Sequence, residues 1–550
     1  MRLEKFQIKN YRSISDISIR LPKNKPLILF GPNNAGKSNI LSGLDRLLGE
    51  KYPTYVEVED SDYFMRNKEN YPKIEISAEF DEPYYIRDYT SLTEVFLTYD
   101  DSKQFDNNIF QDCTGKKLFI SKDDRSRLQS ILLGSERSAA YQFNYSNKYS
   151  LLSKFNRSLH NSLTDGEKEE LKNSFEEIKE TFQSKQEFKT LFSIFKNSIE
   201  ESVKGFVHHL EVDFSAYDPN NYANILRIAA YEDNNVRSFS EFGTGEQQIL
   251  LMAFAKAYME AFRGNNFILI LEEPEANLHP LAQKWLKKYI YDLCSSGLQV
   301  IISTHSPHFI SFENLEGLVR VFKNNGVTNI KQVSEDELSE LLIETGVPQE
   351  KVKGSDIGQY LENRLYSEQL EGLFAEKLIL VEGLTEKLSL PIWFERENFF
   401  LPNEGVEVIN CMGKSNIPLI YRIYKAFGYE CIAIFDGDYN KNERERKNSL
   451  LEPIFKNCCN HPNAGYFIGE NYVMCEYDFE NSLKVEIGNY ISLIDEAKEF
   501  GITNKQGQAK YVAKNASLVP KIIKDFISLV KAGSVSDYSV NAEADTYIPF

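Results

Sequence analysis

The sequence lacks three features that would each indicate a particular class of protein. It has no run of about 18 apolar residues, the length that a membrane-spanning helix needs. Its start, Met1–Phe6, has no apolar segment of the kind found in signal peptides. It has no excess of basic residues, since 63 Lys and Arg face 81 Asp and Glu and the net charge is −18. We therefore expect a cytoplasmic protein that contacts nucleic acid only through local basic patches or bound metal ions.

The cysteines indicate neither a zinc ribbon nor a disulfide framework. None of the seven belongs to a C-x-x-C pair. Their expected state is therefore that of buried or free thiols in a reducing compartment. They stand at positions Cys113, Cys294, Cys411, Cys431, Cys458, Cys459 and Cys475.

What is present is typical of a multidomain globular chain. The 550 residues exceed what one hydrophobic core supports, so about two to four domains are expected. Apolar and polar residues alternate over 3–8 and 17–21, which predicts a hairpin around residues 10–14. The same alternation predicts strands at 74–80 and 95–99.

Residues 31–38 read Gly-Pro-Asn-Asn-Ala-Gly-Lys-Ser and fit the phosphate-loop pattern G-x-x-x-x-G-K-[ST]. An apolar strand at 27–30 precedes them and a helix start follows, which is the context that the motif requires. Backbone amides and the positive end of the helix dipole would hold nucleotide phosphates. Lys37 would reach the β- and γ-phosphates, and the Ser38 hydroxyl would bind Mg²⁺. The predicted loop ligands are Asn34, Gly36, Lys37 and Ser38.

Two later segments offer further contacts to a nucleotide. Residues 241–248, Glu-Phe-Gly-Thr-Gly-Glu-Gln-Gln, precede a long apolar helix. Thr244, Gly245 and the start of that helix form a second predicted phosphate-binding surface. A buried strand at 300–304 is followed by His305, whose ring can contact a γ-phosphate.

A pair of carboxylates completes the predicted ATPase chemistry. The apolar strand at 267–271 ends in Glu272 and Glu273. Carboxylates at the carboxyl end of a parallel strand lie where α/β sheets bind ligands. One of them can hold Mg²⁺ through water, and the next can orient or deprotonate the attacking water.

In this order the motifs resemble those of ABC-type ATPases of the SMC, RecF and Rad50 branch, over residues 1 to about 330. Two departures concern Glu272, where most such ATPases have Asp, and the signature, which reads Gly-Thr-Gly-Glu-Gln instead of Leu-Ser-Gly-Gly-Gln. These departures leave open whether the protein hydrolyses ATP rapidly or holds it as a switch. The resemblance implies that ATP binding joins two heads, because the signature of one protomer completes the site of another. The matching segments are Walker A at 31–38, the signature at 244–248, Walker B at 269–273, the D-loop at 275–279 and the H-switch at His305.

A second group of carboxylates follows two later strands. One apolar strand is followed by Glu382, and Glu386 lies four residues on across a strand-to-helix turn, so both can face one site. Another is followed by Asp436 and Asp438, which converge because alternate residues of an extended segment point the same way. Such hard oxygen ligands suit Mg²⁺ or Mn²⁺, and two ions would stabilise both reacting oxygens of a phosphodiester displacement. Further candidate ligands are Asp478 and Glu480.

The pattern E-G-x-x-E, then Gly, then D-x-D resembles the Toprim domain of topoisomerases, primases and certain nucleases. An ABC ATPase followed by Toprim resembles the OLD (overcoming lysogenisation defect) family of nucleases, over residues 1–485. This implies metal-dependent cleavage or nicking of DNA under ATP control, in antiphage defence. In that family a C-terminal Lys assists the metal site; Lys510 is our first candidate here and Lys514 our second. Members act alone or with a helicase-like protein or a reverse transcriptase and its RNA, so a separate partner fits this chain.

Three functional hypotheses follow. The first is an ATP-regulated, two-metal DNA endonuclease in which a metal-activated water attacks and Lys510 or Lys414 offsets phosphate charge. The second is a Toprim strand-passage or priming enzyme, whose topoisomerase form needs a Tyr nucleophile in a separate domain. The third is an ATP-gated DNA clamp or sensor with an inactive Toprim domain. We favour the first because the acidic set is intact; its predicted metal ligands are Glu382, Glu386, Asp436, Asp438 and Glu480.

The expected fold class is α/β. The expected architecture comprises the ABC ATPase head at 1–150 and 206–330, a helical insertion at 151–205, a linker at 331–370, a Rossmann-like Toprim domain at 371–485 and a helical C-terminal extension at 486–550. The insertion is rich in Glu, Lys, Phe and Ser, with apolar residues near helical spacing. We interpret it as a dimerisation arm rather than an ordinary insertion. The expected assembly is a homodimer or a dimer of dimers.

Overall fold

The computed structural model of the chain forms two compact units, described here one at a time. The first contains Met1–Ile310 and Glu316–Ile330, and the second contains Ser311–Leu315 and Lys331–Phe550. The structure describes residues 2–49, 53, 57–86, 90–101, 109–112, 116–118, 120, 129–133, 163–202, 209–213, 227–232, 235–238, 267–276, 278–344, 347, 349–352, 356–439, 444–460 and 465–532. Within these ranges, none of the helices combines the length and the apolar character that crossing a bilayer requires.

In the described part of the first unit, a twelve-stranded mixed sheet contains β1–β8 and β12–β15, and a three-stranded sheet contains β9–β11. The strands are β1 (Leu3–Tyr11), β2 (Ile14–Arg20), β3 (Leu27–Phe30), β4 (Lys73–Ile86), β5 (Thr90–Asp100), β6 (Ile109–Gln111), β7 (Lys117–Leu118), β8 (Gln129–Leu133), β9 (His209–Asp213), β10 (Arg227–Glu232), β11 (Asn235–Ser238), β12 (Phe267–Glu272), β13 (Gln299–Thr304), β14 (Leu318–Asn324) and β15 (Val327–Gln332). The order across the large sheet is β7-β6-β5-β4-β1-β2-β15-β14-β3-β13-β12-β8.

The predicted amino-terminal hairpin is confirmed. Strands β1 and β2 pair antiparallel, with Phe6 opposite Ile19 and Ile8 opposite Ile17. These four side chains are buried, because alternate positions of each strand face the core. The strands predicted at 74–80 and 95–99 lie within β4 and β5.

A parallel segment of the sheet places the predicted ATPase motifs at one edge. Strand β13 pairs in parallel with β3 on one side and with β12 on the other. Thr304 lies opposite Phe30, and Glu272 lies opposite Ser303. The residues that follow these strands therefore leave the sheet at neighbouring points of the same edge, since parallel strands share a direction.

The described helices of the first unit are α1 (Lys37–Leu48), α2 (Asp165–Ser184), α3 (Gln186–Ser202) and α4 (Pro280–Ser295), with 3-10 turns at Asp60–Asp62, Phe64–Arg66 and Pro307–Phe309. Helices α2 and α3 occupy the predicted helical insertion. Helix α2 begins at a capping box, in which the Thr164 amide donates to the Glu167 carboxylate at 2.8 Å. Residues 151–162 and 203–205 of the insertion lie outside the described residues, and its role in dimerisation stays a prediction.

The second unit contains a five-stranded sheet in the order β17-β16-β18-β20-β19. Its strands are β16 (Lys377–Val381), β17 (Val406–Asn410), β18 (Glu430–Asp436), β19 (Tyr466–Ile468) and β20 (Tyr472–Cys475). Four of them are parallel, and only β19, at the edge, runs antiparallel to its neighbour. The carboxyl ends of β16, β17, β18 and β20 therefore meet at one edge of this sheet.

The carboxyl-terminal helices share one hydrophobic core with this sheet. Val512 and Phe526 pack in the same buried cluster as Ile379 and Ile434 of the strands. The predicted helical extension is thus part of the core of the second unit as far as residue 532. The helices of the unit are α5 (Glu335–Ile343), α6 (Asp356–Glu362), α7 (Ser367–Glu371), α8 (Leu384–Arg396), α9 (Ile417–Ala426), α10 (Arg444–Leu451), α11 (Phe479–Glu486), α12 (Tyr490–Glu499), α13 (Lys505–Asn515) and α14 (Lys521–Ala532), with 3-10 turns at Phe312–Gly317, Gln349–Lys351, Gly372–Phe374, Leu401–Glu404 and Lys414–Asn416.

Candidate active site

The phosphate loop of the first unit adopts a conformation that only glycine permits at two positions. Gly31 and Gly36 have φ angles of 141° and 109°. A Cβ atom at Gly31 would lie 2.1 Å from the carbonyl oxygen of Val321, and one at Gly36 would lie 2.1 Å from Thr328 Oγ1. The loop therefore needs both glycines for its backbone shape and for its close packing against β14 and β15.

Lys37 lies inside this loop and is available to a phosphate. Its Nζ donates hydrogen bonds to two loop carbonyl oxygens, each at 2.9 Å. Burial lowers the pKa of Lys37 to about 8, against the opposing effect of the Glu273, Glu275 and Glu272 carboxylates. A bound phosphate would supply the counter-charge that this buried ammonium lacks within the loop.

The predicted Walker B and H-switch residues lie together. Glu273 has a φ of 46°, and its amide donates to the Ser303 carbonyl at 2.9 Å. His305 Nε2 lies 3.2 Å from Glu273 Oε1, and the His305 amide donates to Glu275 Oε1 at 2.6 Å. The pKa of His305 is lowered by burial and then by the Lys37 charge. A neutral imidazole beside Glu273 can donate one hydrogen bond and accept another, as contact with a nucleotide and its water requires.

The structure thus gathers most of the predicted nucleotide ligands. Lys37, Glu272, Glu273 and His305 form one site, with Asn34 and Ser38 exposed on the loop beside it. Lys323 Nζ donates to Asn34 Oδ1 at 3.2 Å. The predicted signature residues Thr244 and Gly245 lie outside the described residues.

Sequence reasoning missed the polar side chains that support the phosphate loop. Thr328 Oγ1 donates to the Ala35 carbonyl at 3.0 Å and lies 2.7 Å from Ser13 Oγ. Asn39 Nδ2 donates to the same Ser13 hydroxyl at 2.8 Å. Ser13 and Thr328 are 315 positions apart, so no local pattern connects them.

In the second unit, four predicted carboxylates converge at the carboxyl ends of two neighbouring strands. Glu382 directly follows β16, and Asp436 ends β18, which pairs with β16 in parallel. The Asp436 amide donates to Glu382 Oε2 at 3.4 Å. Glu386 lies in the first turn of α8, where its Oε2 accepts from the Gly383 amide at 3.0 Å. Asp438 follows β18 with a φ of 56° and is buried.

These carboxylates repel one another in a buried setting. The pKa of Glu386 is raised to about 7, chiefly by burial and also by the Glu480 and Glu382 carboxylates. Burial also raises the pKa of Asp436 well above its ordinary range, and the charges of Glu382, Glu386, Glu480 and Asp438 add to this. A set of buried and half-buried carboxylates in mutual repulsion is the environment that a bound cation relieves.

Helix α11 places Glu480 near the other carboxylates, whereas Asp478 caps the helix. Asp478 caps the helix, with the Asn481 amide 2.7 Å from Oδ1 and Asn481 Nδ2 2.7 Å from Oδ2. Both of its oxygens therefore accept protein hydrogen bonds. Glu480 is buried and faces the carboxylates of Asp436 and Glu386, and the Phe479 amide donates to Asp436 Oδ1 at 2.9 Å.

Two lysines lie among the carboxylates. The buried Lys414 donates to the Asp436 carbonyl, and its Nζ lies 3.4 Å from Asp438 Oδ2. Lys505, at the start of α13, places its Nζ 2.8 Å from Glu480 Oε1. Although burial lowers the pKa of Lys505, the Glu480 hydrogen bond and charge raise it above the ordinary value. The predicted catalytic lysine, Lys510, is exposed later on the same helix. The structure therefore brings Lys505, which we did not predict, to the carboxylates.

Helix α13 is held in place by the helix that carries Glu386. Arg396, near the end of α8, donates to the carbonyl oxygens of Ala513 and Ala516, each at 2.7 Å. These carbonyls belong to the carboxyl end of α13, where backbone acceptors have no partner within the helix. The contact fixes the helix that presents Lys505 against the helix that presents Glu386.

The donor set fits hard divalent cations. Glu382, Glu386, Asp436, Asp438 and Glu480 offer oxygens alone, and oxygen ligands are those that Mg²⁺ and Mn²⁺ prefer. The carboxylates outnumber the two lysines, so the site retains negative charge to be balanced. Fold and sites together define an ABC-type ATPase head with a helical insertion, joined in one chain to a Rossmann-like Toprim domain with a helical extension.

Comparisons with protein families agree with this division. A family model described as an AAA ATPase domain matches residues 1–199 and 90–310, which together span more than half of the 550 residues. A second model, described as the TOPRIM domain of overcoming lysogenization defect protein-like proteins, matches residues 373–438. The matched domains imply the use of ATP and of a divalent cation.

Two curated relatives carry the name of a nuclease. The OLD nuclease of Thermus scotoductus is 27% identical over 451 residues, which cover 79% of this chain and 82% of the relative. The Old nuclease of Escherichia phage P2 is 27% identical over 219 residues, covering 38% of this chain and 36% of the relative. The chain belongs to the AAA ATPase domain family and combines that domain with an OLD-like Toprim domain, and it is similar to the two OLD nucleases.

Solved structures of SMC heads align with a large part of the chain at low similarity. The SMC head domain from Thermotoga maritima covers 61% of this chain and 100% of its own, with 17% identity and a TM-score of 0.35. The Smc head with an extended coiled coil from Pyrococcus furiosus covers 63% of this chain and 99% of its own, with 15% identity and a TM-score of 0.41. At these scores the alignments add nothing to the family assignment.

Proposed function

We propose that this chain is an ATP-regulated DNA endonuclease or nickase that requires Mg²⁺ or Mn²⁺ and acts in the cytoplasm in antiphage defence. The observation that carries the proposal is the set of five converging carboxylates, with two lysines, at the strand ends of a Toprim domain. The names of the two OLD nuclease relatives support the nuclease part of the proposal.

Divalent ions held by these carboxylates would supply a Lewis acid that activates water and stabilises the leaving oxygen of a phosphodiester. The chain's own residues prepare the site. Lys414 joins the Asp436 carbonyl to the Asp438 carboxylate and so fixes the D-x-D loop. Lys505 stands beside Glu480 and offers a cation to a phosphate oxygen at the rim of the site. Lys510 stays a second candidate for that role.

We propose that the nucleotide site is the control input to this chemistry. Lys37 would bind the β- and γ-phosphates, while Glu273 and His305 would face the γ-phosphate and its water. A homodimer or a dimer of dimers would complete each site with the signature at residues 244–248 of the other protomer. A separate partner, such as a helicase-like protein or a reverse transcriptase with its RNA, would connect the enzyme to its trigger.

Supercoiled plasmid and phage DNA test the proposal directly. Each is incubated with the full chain in Mg²⁺ or Mn²⁺, with ATP, ADP or no nucleotide, and products are resolved on a gel. We expect nicked or linear products that depend on metal and change with nucleotide. Intact DNA under every condition would overturn the nuclease assignment. Relaxed closed circles would indicate strand passage, and binding without cutting would indicate a clamp.

A further inference from the structure

A second group of metal-ligating side chains lies outside the acidic site. One ligand atom each from Glu452, Cys458 and Cys459 lies within 4.8 Å of the other two. Cys458 is buried, Glu452 is half-buried and Cys459 is exposed, so the group opens to solvent on one side. Two sulfurs and one carboxylate oxygen are ligands for a borderline or soft cation such as Zn²⁺, and not for Mg²⁺.

The chain around this group holds the ligand atoms in place. The Asn457 amide donates to Glu452 Oε1 at 2.8 Å, and the Cys459 amide donates to Glu452 Oε2 at 3.0 Å. The Cys458 thiol donates to the same Oε2 at 3.3 Å. The turn that carries both cysteines is therefore wrapped around the carboxylate, and a cation would find its three ligands already close together.

Hydrogen bonds connect this turn to the loop between the two aspartates of the acidic site. The Cys458 thiol lies 3.5 Å from the Asn448 carbonyl oxygen, and Asn448 Nδ2 donates to the Gly437 carbonyl at 3.2 Å. The Tyr439 hydroxyl donates to the Cys459 carbonyl at 3.0 Å. Gly437 has little freedom, because a Cβ there would lie 2.5 Å from a backbone carbonyl oxygen of β20.

We propose that Glu452, Cys458 and Cys459 bind one thiophilic divalent cation, Zn²⁺ in the cell, at a site separate from the acidic site. On binding, both thiols release their protons to solvent, and two thiolates and the carboxylate occupy three tetrahedral positions. Water takes the fourth position on the open side. The bound cation braces the turn and, through the hydrogen bond from the Tyr439 hydroxyl to the Cys459 carbonyl, the loop that carries Asp436 and Asp438.

Cadmium is the probe, because its bond to a thiolate gives an ultraviolet charge-transfer absorption that oxygen ligands do not give. Reduced full-length protein is titrated with Cd²⁺, and we expect one thiolate-bound Cd²⁺ per chain. The double variant Cys458→Ser/Cys459→Ser should lose this absorption. Glu452→Gln should keep it but bind roughly tenfold or more weakly, since even groups that only orient metal ligands contribute that much affinity.

Two control variants separate this site from other thiols and from the acidic site. Cys294→Ala removes a buried thiol of α4 and should leave the absorption unchanged. Asp436→Ala should also leave it unchanged, because its carboxylate belongs to the other site. In that Asp436→Ala background, stoichiometric Zn²⁺ should raise the unfolding temperature of the chain only while both cysteines are present.

The proposal fails if the reduced chain shows no thiolate absorption with Cd²⁺. It also fails if the double cysteine variant binds Cd²⁺ with the same absorption and stoichiometry as the wild type. Circular dichroism checks that each variant folds. Should the double variant not fold, two single variants decide. Cys459→Ser, at an exposed side chain, should lower the absorption per bound Cd²⁺, and Glu452→Gln should weaken binding; wild-type absorption in the first together with wild-type affinity in the second would overturn the proposal.

Discussion

Replacing Glu386 by Gln should stabilise the metal-free protein while it removes a metal ligand. The pKa of this buried carboxyl is raised from 4.5 to about 7, first by burial and then by the neighbouring carboxylates. At about 1.4 kcal/mol per pH unit, its ionisation costs the folded state about 3 kcal/mol. Because the folded pKa lies above the unfolded one, this cost is absent below pH 4.5 and complete above about pH 7. Gln keeps the capping contact with the Gly383 amide and carries no charge.

The assay is thermal unfolding of the full chain in chelator at pH 8 and at pH 4.5. For a unit of this size, about 3 kcal/mol corresponds to an increase of roughly 5 to 10 °C at pH 8. The increase should vanish at pH 4.5. Glu395→Gln, on the exposed side of the same helix, removes the same charge and should change the unfolding temperature little. With Mn²⁺ added at pH 8, the wild type should gain more stability than Glu386→Gln. If Glu386→Gln unfolds in chelator at pH 8 at the same temperature as the wild type or at a lower one, the electrostatic reasoning is refuted.

Three further predictions concern cations of the two units. Lys37→Ala should abolish ATP binding measured by equilibrium dialysis, and undiminished binding would contradict the role of the loop. Lys505→Ala should reduce plasmid nicking by roughly 10²-fold or more, as expected when one phosphate-stabilising donor is lost. Lys510→Ala should leave nicking within a few-fold of the wild-type rate. A larger loss in Lys510→Ala than in Lys505→Ala would favour the lysine predicted from the sequence. Arg396→Ala should lower the free energy of unfolding by about 2 to 3 kcal/mol in urea titration, because two charge-assisted hydrogen bonds to the end of α13 are lost.

The sequence predicted the elements whose signal is local. The phosphate loop, the Walker B strand and the amino-terminal hairpin each depend on residues a few positions apart. The strand-end placement of Glu382 and Asp436 also followed from short apolar runs, and parallel pairing then brought the two together. In each case the pattern and the fold share the same physical origin, which is the burial of an apolar strand with polar residues at its end.

The choice of lysine could not be made from the sequence. Lys505 and Lys510 lie on one helix, and which of them faces the carboxylates depends on where that helix begins and what it packs against. Asn504 caps α13 and accepts from the Gly507 amide at 2.6 Å, which places Lys505 in the first turn. Arg396, more than a hundred residues earlier, fixes the other end. The Asn504 cap is a local signal of the kind that marks where a helix begins. The Arg396 contact has no signature at the level of sequence spacing.

The cysteine cluster escaped prediction for a similar reason. A search for C-x-x-C pairs passes over adjacent cysteines whose third partner is a glutamate six residues away. Glu452 follows the end of α10, and a tight turn returns Cys458 and Cys459 to its carboxylate. The sequence indicated buried or free thiols, and the described cysteines are free thiols. The metal site is our proposal from the positions that the fold gives Glu452, Cys458 and Cys459.

The central claim is that the carboxylate site of the second unit catalyses DNA cleavage, and one comparison tests it most directly. Plasmid nicking is measured in Mn²⁺ and ATP for the wild type, Asp436→Asn and Asp495→Asn, the last being an exposed aspartate of α12. Asp436→Asn keeps the size of the side chain and removes one charge from the centre of the site. We predict that it abolishes nicking while Asp495→Asn matches the wild type. Nicking by Asp436→Asn at the wild-type rate would contradict the account.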